Sequence, residues 1–209
     1  MSETLNHQES YIPSVVQEVG SEQISSLQFE RQQLSLDLVN KGLVSQEFYE
    51  SGALESFAID EPTQTDLLEH VLVGDDFGGG HHLPTLVALG RKNVTIASMI
   101  QPQESLKRYM SPSLLRKEQK VKENGTFKAL DVRVPGSDGT TVRKDGGSTM
   151  FPNEWTTQQV LESLIQSSQT MGEVLEDKGV TRHIAEINGV KVLTITDDKT
   201  GKIITGFPK

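Results

Sequence analysis

Hydrophobic positions in the first part of the chain recur at steps of three and four residues. Between Val15 and Leu54 the apolar residues keep this spacing, and Gly20 and Gly42 interrupt it. Such spacing is typical of amphipathic helices, and glycine is common where a helix ends. The pattern therefore predicts two or three helices before the Glu-Pro-Thr-Gln break at 61–64, where we place a boundary between two units.

Two further helices are predicted after this break. Thr65 has the chemistry of an N-cap, and Asp66 would then lie in the first turn of a short helix that carries His70. Trp155 to Ile165 is the strongest helical pattern, because Thr156 and Gln159 have the spacing of a capping box.

Strand patterns dominate the second part of the chain. Asn-Gly pairs at 124–125 and 188–189 are typical of tight turns between strands. Helices first and antiparallel strands later predict an α+β fold, with a helical subdomain at 1–64 and a unit of antiparallel sheets flanked by helices at 65–209. Alternating or β-branched runs predict strands at 94–100, 126–134, 140–143, 182–187, 190–196 and 202–207.

Charge divides the chain at the same place. Residues 1–64 hold eleven acidic and two basic residues, whereas residues 65–209 hold eighteen of each. The net charge of −9 therefore belongs to the first unit, and the neutral second unit can still carry a local basic face. Such a face suits nucleic-acid phosphates, and its candidates are Lys107, Arg108, Arg116, Lys117, Lys120 and Lys122.

Composition excludes several kinds of site. The chain has no cysteine, which excludes disulfides, thiolate nucleophiles and cysteine-rich zinc sites. The first residues lack the basic and apolar regions of a signal peptide, and no apolar run approaches a membrane span. We therefore expect a soluble protein of the cytoplasm that does not bind membranes.

Three of the five histidines lie within thirteen residues, at His70, His81 and His82. Three glycines at 78–80 precede the last two, and glycine permits a sharp backbone bend. Two imidazoles brought together by this bend can act as acid and base near neutral pH. With a cation to stabilise a charged phosphorane, they meet the needs of RNA cleavage by its own 2′-hydroxyl without a metal.

Three motifs follow one another in the second unit. They are Glu-His-Val with Gly-Asp and a Gly-Gly-Gly-His at 69–81, KDGGSTMFP at 144–152, and GKIITGFP at 201–208. Together they resemble the bacterial branch of the EndoU endoribonucleases, over residues 65–209. The wider family includes bacterial toxin domains, XendoU and the uridylate-specific endoribonucleases of coronaviruses.

The resemblance implies an endonuclease of single-stranded RNA that prefers uridines. It would cleave by 2′-hydroxyl transesterification and leave 2′,3′-cyclic phosphate and 5′-hydroxyl ends. His70 and His81 match the catalytic histidines and Lys144 the catalytic lysine, and we assign His81 as general base and His70 as general acid. No cofactor is implied as a requirement, although manganese stimulates some members.

Four more positions match the substrate site of the family. The hydroxyl at 148 would bond the uracil edge, because it can both donate and accept a hydrogen bond. Phenylalanine stands at 207 where the family often has tyrosine, so the ring is kept and its hydroxyl is lost. The four residues are Ser148, Thr149, Thr205 and Phe207.

Several assignments stay open. His82 competes with His81, although we favour a packing or loop-capping role for it, and Lys128 competes with Lys144. A metal-dependent nuclease would use His70, His81, His82 and Asp75 or Asp76 as ligands. The motifs are also compatible with a toxin domain of interbacterial competition, which would have an immunity protein as partner, and with a non-catalytic RNA-binding module. The oligomeric state is open.

Overall fold

A computed structural model describes residues 25–60, 62–75, 78–89, 122–129, 133–135, 141–143, 148–175 and 178–209. Some of the predicted features lie outside these ranges. They are the helical pattern before residue 25, the strand at 94–100, the basic face except Lys122, and the candidate lysine Lys144.

Residues 25–56 are largely helical, as predicted. They comprise α1 (Ser26–Asn40), α2 (Gln46–Glu50) and a short 3₁₀ helix (Ala53–Ser56). A capping box between Ser25 and Gln28 starts α1. The buried positions of α1 form one stripe on its surface, since they lie three or four residues apart or side by side: Leu27, Arg31, Leu34, Ser35 and Leu38.

Residues 62–64 of the predicted break lie in the turn of a small hairpin. Strands β1 (Ile59–Asp60) and β2 (Thr65–Asp66) pair antiparallel on either side of it. Helix α3 (Leu67–Leu72) follows at once, and its N-cap is Asp66, so the prediction that Thr65 is the N-cap was wrong. Thr65 is part of the strand pair, whereas the Asp66 carboxylate accepts hydrogen bonds from the backbone of the first turn.

The apolar run after the histidines is helix α4 (Leu83–Leu89). Its Pro84 lies in the first turn, where a backbone N–H has no acceptor within the helix. Proline is therefore compatible with this helix, although we predicted no element here.

Two pairs of short strands follow. Strand β3 (Phe127–Ala129) pairs with β6 (Ser148–Met150), and β4 (Arg133–Pro135) pairs with β5 (Thr141–Arg143). The predicted strand at 126–134 thus corresponds to two strands with different partners. Alternation reveals which residues share a face of a strand, but it does not reveal the partner strand.

The largest sheet has four antiparallel strands in the order β10-β9-β8-β7. Its strands are β7 (Glu173–Leu175), β8 (Val180–Ile187), β9 (Val190–Asp197) and β10 (Ile203–Pro208). The last three confirm predicted strands, while the three-residue β7 was not predicted. Asn188 and Gly189 have φ of 48° and 75°, which confirms the tight turn between β8 and β9.

Helix α5 (Thr157–Ser168) covers one face of this sheet, and its predicted capping box is confirmed. The Ser167 hydroxyl donates to the Val192 carbonyl at 3.2 Å. A Cβ on Gly206 of β10 would lie 2.3 Å from Leu164 Cδ2, so the glycine lets helix and strand approach.

One hydrophobic core runs through both predicted units. It includes Leu38 of α1, Phe57, Leu68 of α3, Leu161 of α5 and Ile203 of β10. The α+β class is confirmed, and the division at residue 64 stays a prediction. Among the described residues, no helix is long and apolar enough to cross a membrane.

Candidate active site

The three consecutive glycines return the chain to the end of α3. Gly78, Gly79 and Gly80 have φ of 134°, 73° and 61°, conformations that glycine adopts readily. A Cβ on Gly79 would lie 1.7 Å from the His70 carbonyl oxygen. The Gly80 N–H donates to that same oxygen at 3.1 Å. The loop therefore folds back onto α3 and caps its end.

His70 is buried near the end of α3, between a carboxylate and a hydroxyl. Its Nδ1 lies 2.9 Å from Asp75 Oδ2 and its Nε2 lies 3.3 Å from Thr205 Oγ1. A carboxylate can only accept, so Nδ1 carries a hydrogen. Asp75 is itself held in place, because its backbone exchanges two hydrogen bonds with Gly78, at 2.9 and 3.1 Å.

His81 has a different set of partners. Its Nδ1 lies 2.8 Å from the Thr149 carbonyl oxygen and 2.9 Å from Ser148 Oγ. Because a carbonyl can only accept, Nδ1 carries a hydrogen and Nε2 of the neutral ring carries the lone pair. The backbone is fixed as well, since the Phe151 N–H donates to the His81 carbonyl at 2.8 Å.

Strand β10 holds the two histidines side by side. Thr205 contacts His70, and the ring of Phe207 stacks on His81 with centroids 5.3 Å apart and planes inclined by 30°. Residues two apart on a strand lie on the same face, about 7 Å from each other. The two imidazoles are therefore neighbours on the face of β10 opposite Gly206 and α5.

The predicted substrate residues surround these rings. Thr205 and Phe207 are half-buried and contact one histidine each. Ser148 is only 2% exposed, and its hydroxyl lies against His81. Thr149 contacts His81 through its carbonyl oxygen, while its side chain lies on the opposite face of β6 from Ser148.

The two candidate lysines have different positions. Lys128 is exposed on β3 and pairs directly with Thr149. Side chains of directly paired residues share a face, so Lys128 is on the opposite face from the Ser148 hydroxyl that contacts His81. This arrangement weighs against Lys128, and Lys144 lies outside the described residues.

His82 packs into the core and does not share the partners of His81. It is 2% exposed, and its Nδ1 lies 2.6 Å from Thr85 Oγ1, which is 2.8 Å from Thr157 Oγ1. Burial lowers the pKa of His82 to about 4, although nearby carbonyls of Trp155 and Pro152 partly oppose that effect. A neutral packing residue that ties α4 to α5 agrees with the role we favoured.

Among the described residues, no group of three or more histidine, aspartate or glutamate side chains is placed to hold a metal ion. Of the ligands that we considered for a metal-dependent nuclease, His82 is directed into the core, and Asp76 lies outside the described residues.

The contact between Asp75 and His70 was not predicted from the sequence. We considered Asp75 only as a metal ligand, although a carboxylate five residues after a histidine at a helix end is a usable signal. The last described histidine, His183, is buried on β8 between the Thr170 carbonyl and the Thr196 hydroxyl, at 2.8 and 3.0 Å. Neither partner belongs to the site described above.

Comparison with known proteins identifies a family. The model of the bacterial EndoU nuclease family matches residues 64–209, which contain every described residue of the site. No curated protein and no solved structure matches the chain. Since the family match spans more than half of the sequence, the chain belongs to the bacterial EndoU nuclease family and is an RNA endonuclease.

Proposed function

We propose that this endonuclease cleaves single-stranded RNA at uridines by transesterification. The 2′-oxygen attacks the adjacent phosphorus, the bond from phosphorus to the 5′-oxygen breaks, and the products carry 2′,3′-cyclic phosphate and 5′-hydroxyl ends. The observation that carries the proposal is the pair of neighbouring histidines with different hydrogen-bond partners, His81 on a carbonyl and His70 on a carboxylate.

His81 is the general base in this mechanism. The Thr149 carbonyl holds the hydrogen on Nδ1, which leaves the lone pair of Nε2 to accept the proton of the 2′-hydroxyl. Ser148 and Phe207 restrict the ring from two sides. A ring whose tautomer and plane are both set is ready for proton transfer without reorganisation.

His70 is the general acid. When the ring is doubly protonated, Nδ1–H donates to Asp75 and the carboxylate balances its positive charge. Nε2–H then faces Thr205 and is the proton delivered to the departing 5′-oxygen. After each turnover the proton taken up by His81 must return to solvent, and His70 must be reprotonated from it.

Lys144 is proposed to stabilise the phosphorane. Support comes from its position in the sequence, four residues before Ser148 of β6. An ammonium close to the non-bridging oxygens would stabilise charge that develops only in the transition state. We propose that the reaction requires no cofactor and that manganese acts at most as a stimulator.

Substrate selection is proposed to depend on the site face of β10. Thr205 and Phe207 are the half-buried side chains there, and a phenylalanine ring can pack against a ribose or a pyrimidine. We assign Ser148 to holding His81, because its buried hydroxyl already contacts that ring. A cytoplasmic location and an immunity protein as partner stay predictions.

Digestion of a short RNA with a single uridine tests this proposal. The reaction is run in EDTA, and mass spectrometry identifies the new ends. We expect a cyclic phosphate after the uridine, with activity reduced by roughly 10²–10⁴-fold in His70→Ala and in His81→Ala. Lys144→Ala should also lose activity, whereas Lys128→Ala, the matched control on β3, should keep it.

Two results would overturn the mechanism. Cleavage that occurs only after a metal is restored and leaves a 5′-phosphate would make the histidines ligands instead of proton carriers. If Lys128→Ala lost activity and Lys144→Ala kept it, the catalytic role would belong to Lys128 instead of Lys144.

A further inference from the structure

Arg31 is a buried cation in the part of the chain that precedes the family match. It lies in the buried stripe of α1 and is 3% exposed. Arginine is rarely buried unless it is paired, and here its partner is Asp66, whose side chain is also 3% exposed. Residues 25–60, including Arg31, lie outside the family match at 64–209.

Every N–H of the Arg31 guanidinium has an acceptor. Nε lies 2.8 Å from each Asp66 oxygen, and one terminal nitrogen also bonds that carboxylate. The remaining hydrogens bond carbonyl oxygens of Leu54, Phe57 and Ala58 at 3.3, 3.2 and 3.0 Å. Arginine has five such donors in a rigid fork, so this site fixes several backbone segments relative to one side chain.

Asp66 transmits this constraint to the catalytic helix. Its Oδ1 accepts from the backbone N–H groups of Leu68 and Glu69, at 2.9 and 3.4 Å, and caps α3. Helix α3 has only six residues, and His70 follows Glu69 directly. The direction in which α3 leaves its N-cap therefore sets the direction of the His70 side chain.

Ala58 connects the same cluster to the other side of His70. Its carbonyl accepts from Arg31 and from the Leu67 N–H, and its own N–H donates to the Ile203 carbonyl at 2.9 Å. Ile203 begins β10, two residues before Thr205, which contacts His70 Nε2. The Arg31 cluster thus holds both α3 and the start of β10.

We propose that Arg31 is a positioning residue for His70. Through Asp66 and Ala58 it aligns α3 with β10, so that the ring lies between Asp75 and Thr205. The segment at 25–60 is then a working part of the catalytic unit, although it lies outside the family match. The enzymatic consequence of this inference rests on the proposed function, whereas its structural consequence does not.

The test separates positioning from simple stabilisation. Arg31→Met combined with Asp66→Asn removes both charges and keeps an N-cap side chain, since asparagine caps helices as well as aspartate. Removing both charges leaves no uncompensated charge in the core, so the double variant should lose less stability than either single substitution. Arg182→Met is the matched control, because Arg182, half-buried on β8, pairs with the exposed Glu173 of β7.

Activity and ring spectra are measured at a temperature where circular dichroism shows each variant fully folded. We expect kcat on the single-uridine RNA to fall on the order of 10–100-fold in the double variant, with KM nearly unchanged. The ¹⁵N signals of the His70 ring, assigned by comparison with His70→Ala, should shift, whereas those of His183 should not. Arg182→Met should match the unmodified protein in both measurements.

A folded double variant with unchanged kcat and unchanged His70 ring signals would overturn the inference. If the unmodified protein fails to cleave RNA, the proposed function fails instead. In that case the ring signals still decide whether Arg31 positions His70.

Discussion

His82 should make the protein sensitive to mild acid. In the folded chain burial lowers the pKa of His82 to about 4, from the value of 6.5 that histidine has in an unfolded chain. Between these two pH values the unfolded state binds a proton that the folded state does not. The free energy of unfolding therefore falls as the pH drops from 6.5 towards 4.

The magnitude follows from the difference between the two pKa values. The stability lost through His82 is about 2 kcal/mol at pH 5 and about 3 kcal/mol at pH 4. A loss of about 2 kcal/mol corresponds to a decrease in Tm of roughly 4–8 °C for a chain of this size. This is a large share of the stability of an ordinary domain, about 5–15 kcal/mol.

Urea unfolding at pH 7 and pH 5 measures this loss. His82→Asn should be less stable than the unmodified protein at pH 7, because it leaves a gap beside Thr85. Between pH 7 and pH 5, the free energy of unfolding of His82→Asn should fall by about 2 kcal/mol less than that of the unmodified protein. Other titrating groups are the same in both proteins, so the difference isolates His82.

An NMR titration of the unmodified protein gives an independent answer if the variant does not fold. A His82 ring that titrates near 6.5, or an equal loss of stability in both proteins, would refute the reasoning. Either result would mean that the ring is reached by water and does not tie α4 to α5.

Three substitutions test the contacts of the site. Gly79→Ala should abolish activity and lower Tm, since its Cβ would meet the His70 carbonyl. Gly201→Ala is the control for backbone strain alone, because Gly201 has φ of 69° and open space around it. Asp75→Asn should lower kcat on the order of 10²-fold, and an unchanged kcat would remove Asp75 from the mechanism. Ser148→Ala should slow cleavage at uridine and cytidine in the same proportion if Ser148 holds His81. A selective loss at uridine would instead assign its hydroxyl to the base.

Local chemistry explains which elements could be predicted. The capping box at Thr156 and Gln159 and the turn at 188–189 depend on residues within a few positions of one another, and both were confirmed. Strands β8 and β9 are eight residues long and are joined by this turn, so their patterns were also readable. The three-residue β7 is too short to show a period.

Contacts between distant residues explain what could not be predicted. Thr65 and Asp66 are both good N-cap residues, and local sequence offers little to choose between them. Asp66 is also the partner of Arg31, 35 residues earlier, and Thr65 is its neighbour in the ladder of β1 and β2. The ion pair between Asp66 and Arg31 thus favours Asp66 as the N-cap. A local stretch of sequence does not contain both residues.

The two adjacent histidines show the same limit at the site itself. His81 and His82 have the same chemistry and follow the same glycines, so spacing alone could not separate their roles. The difference arises because His82 precedes α4 directly and its carbonyl accepts the Leu86 N–H, which directs its ring towards Thr85 and the core. His81 is one residue earlier, and its ring meets the Thr149 carbonyl, 68 residues later in the chain. The proposed base, His81, and the packing residue, His82, thus differ in what the rest of the fold places beside each ring. Ser148→Ala and His82→Asn probe those two environments separately.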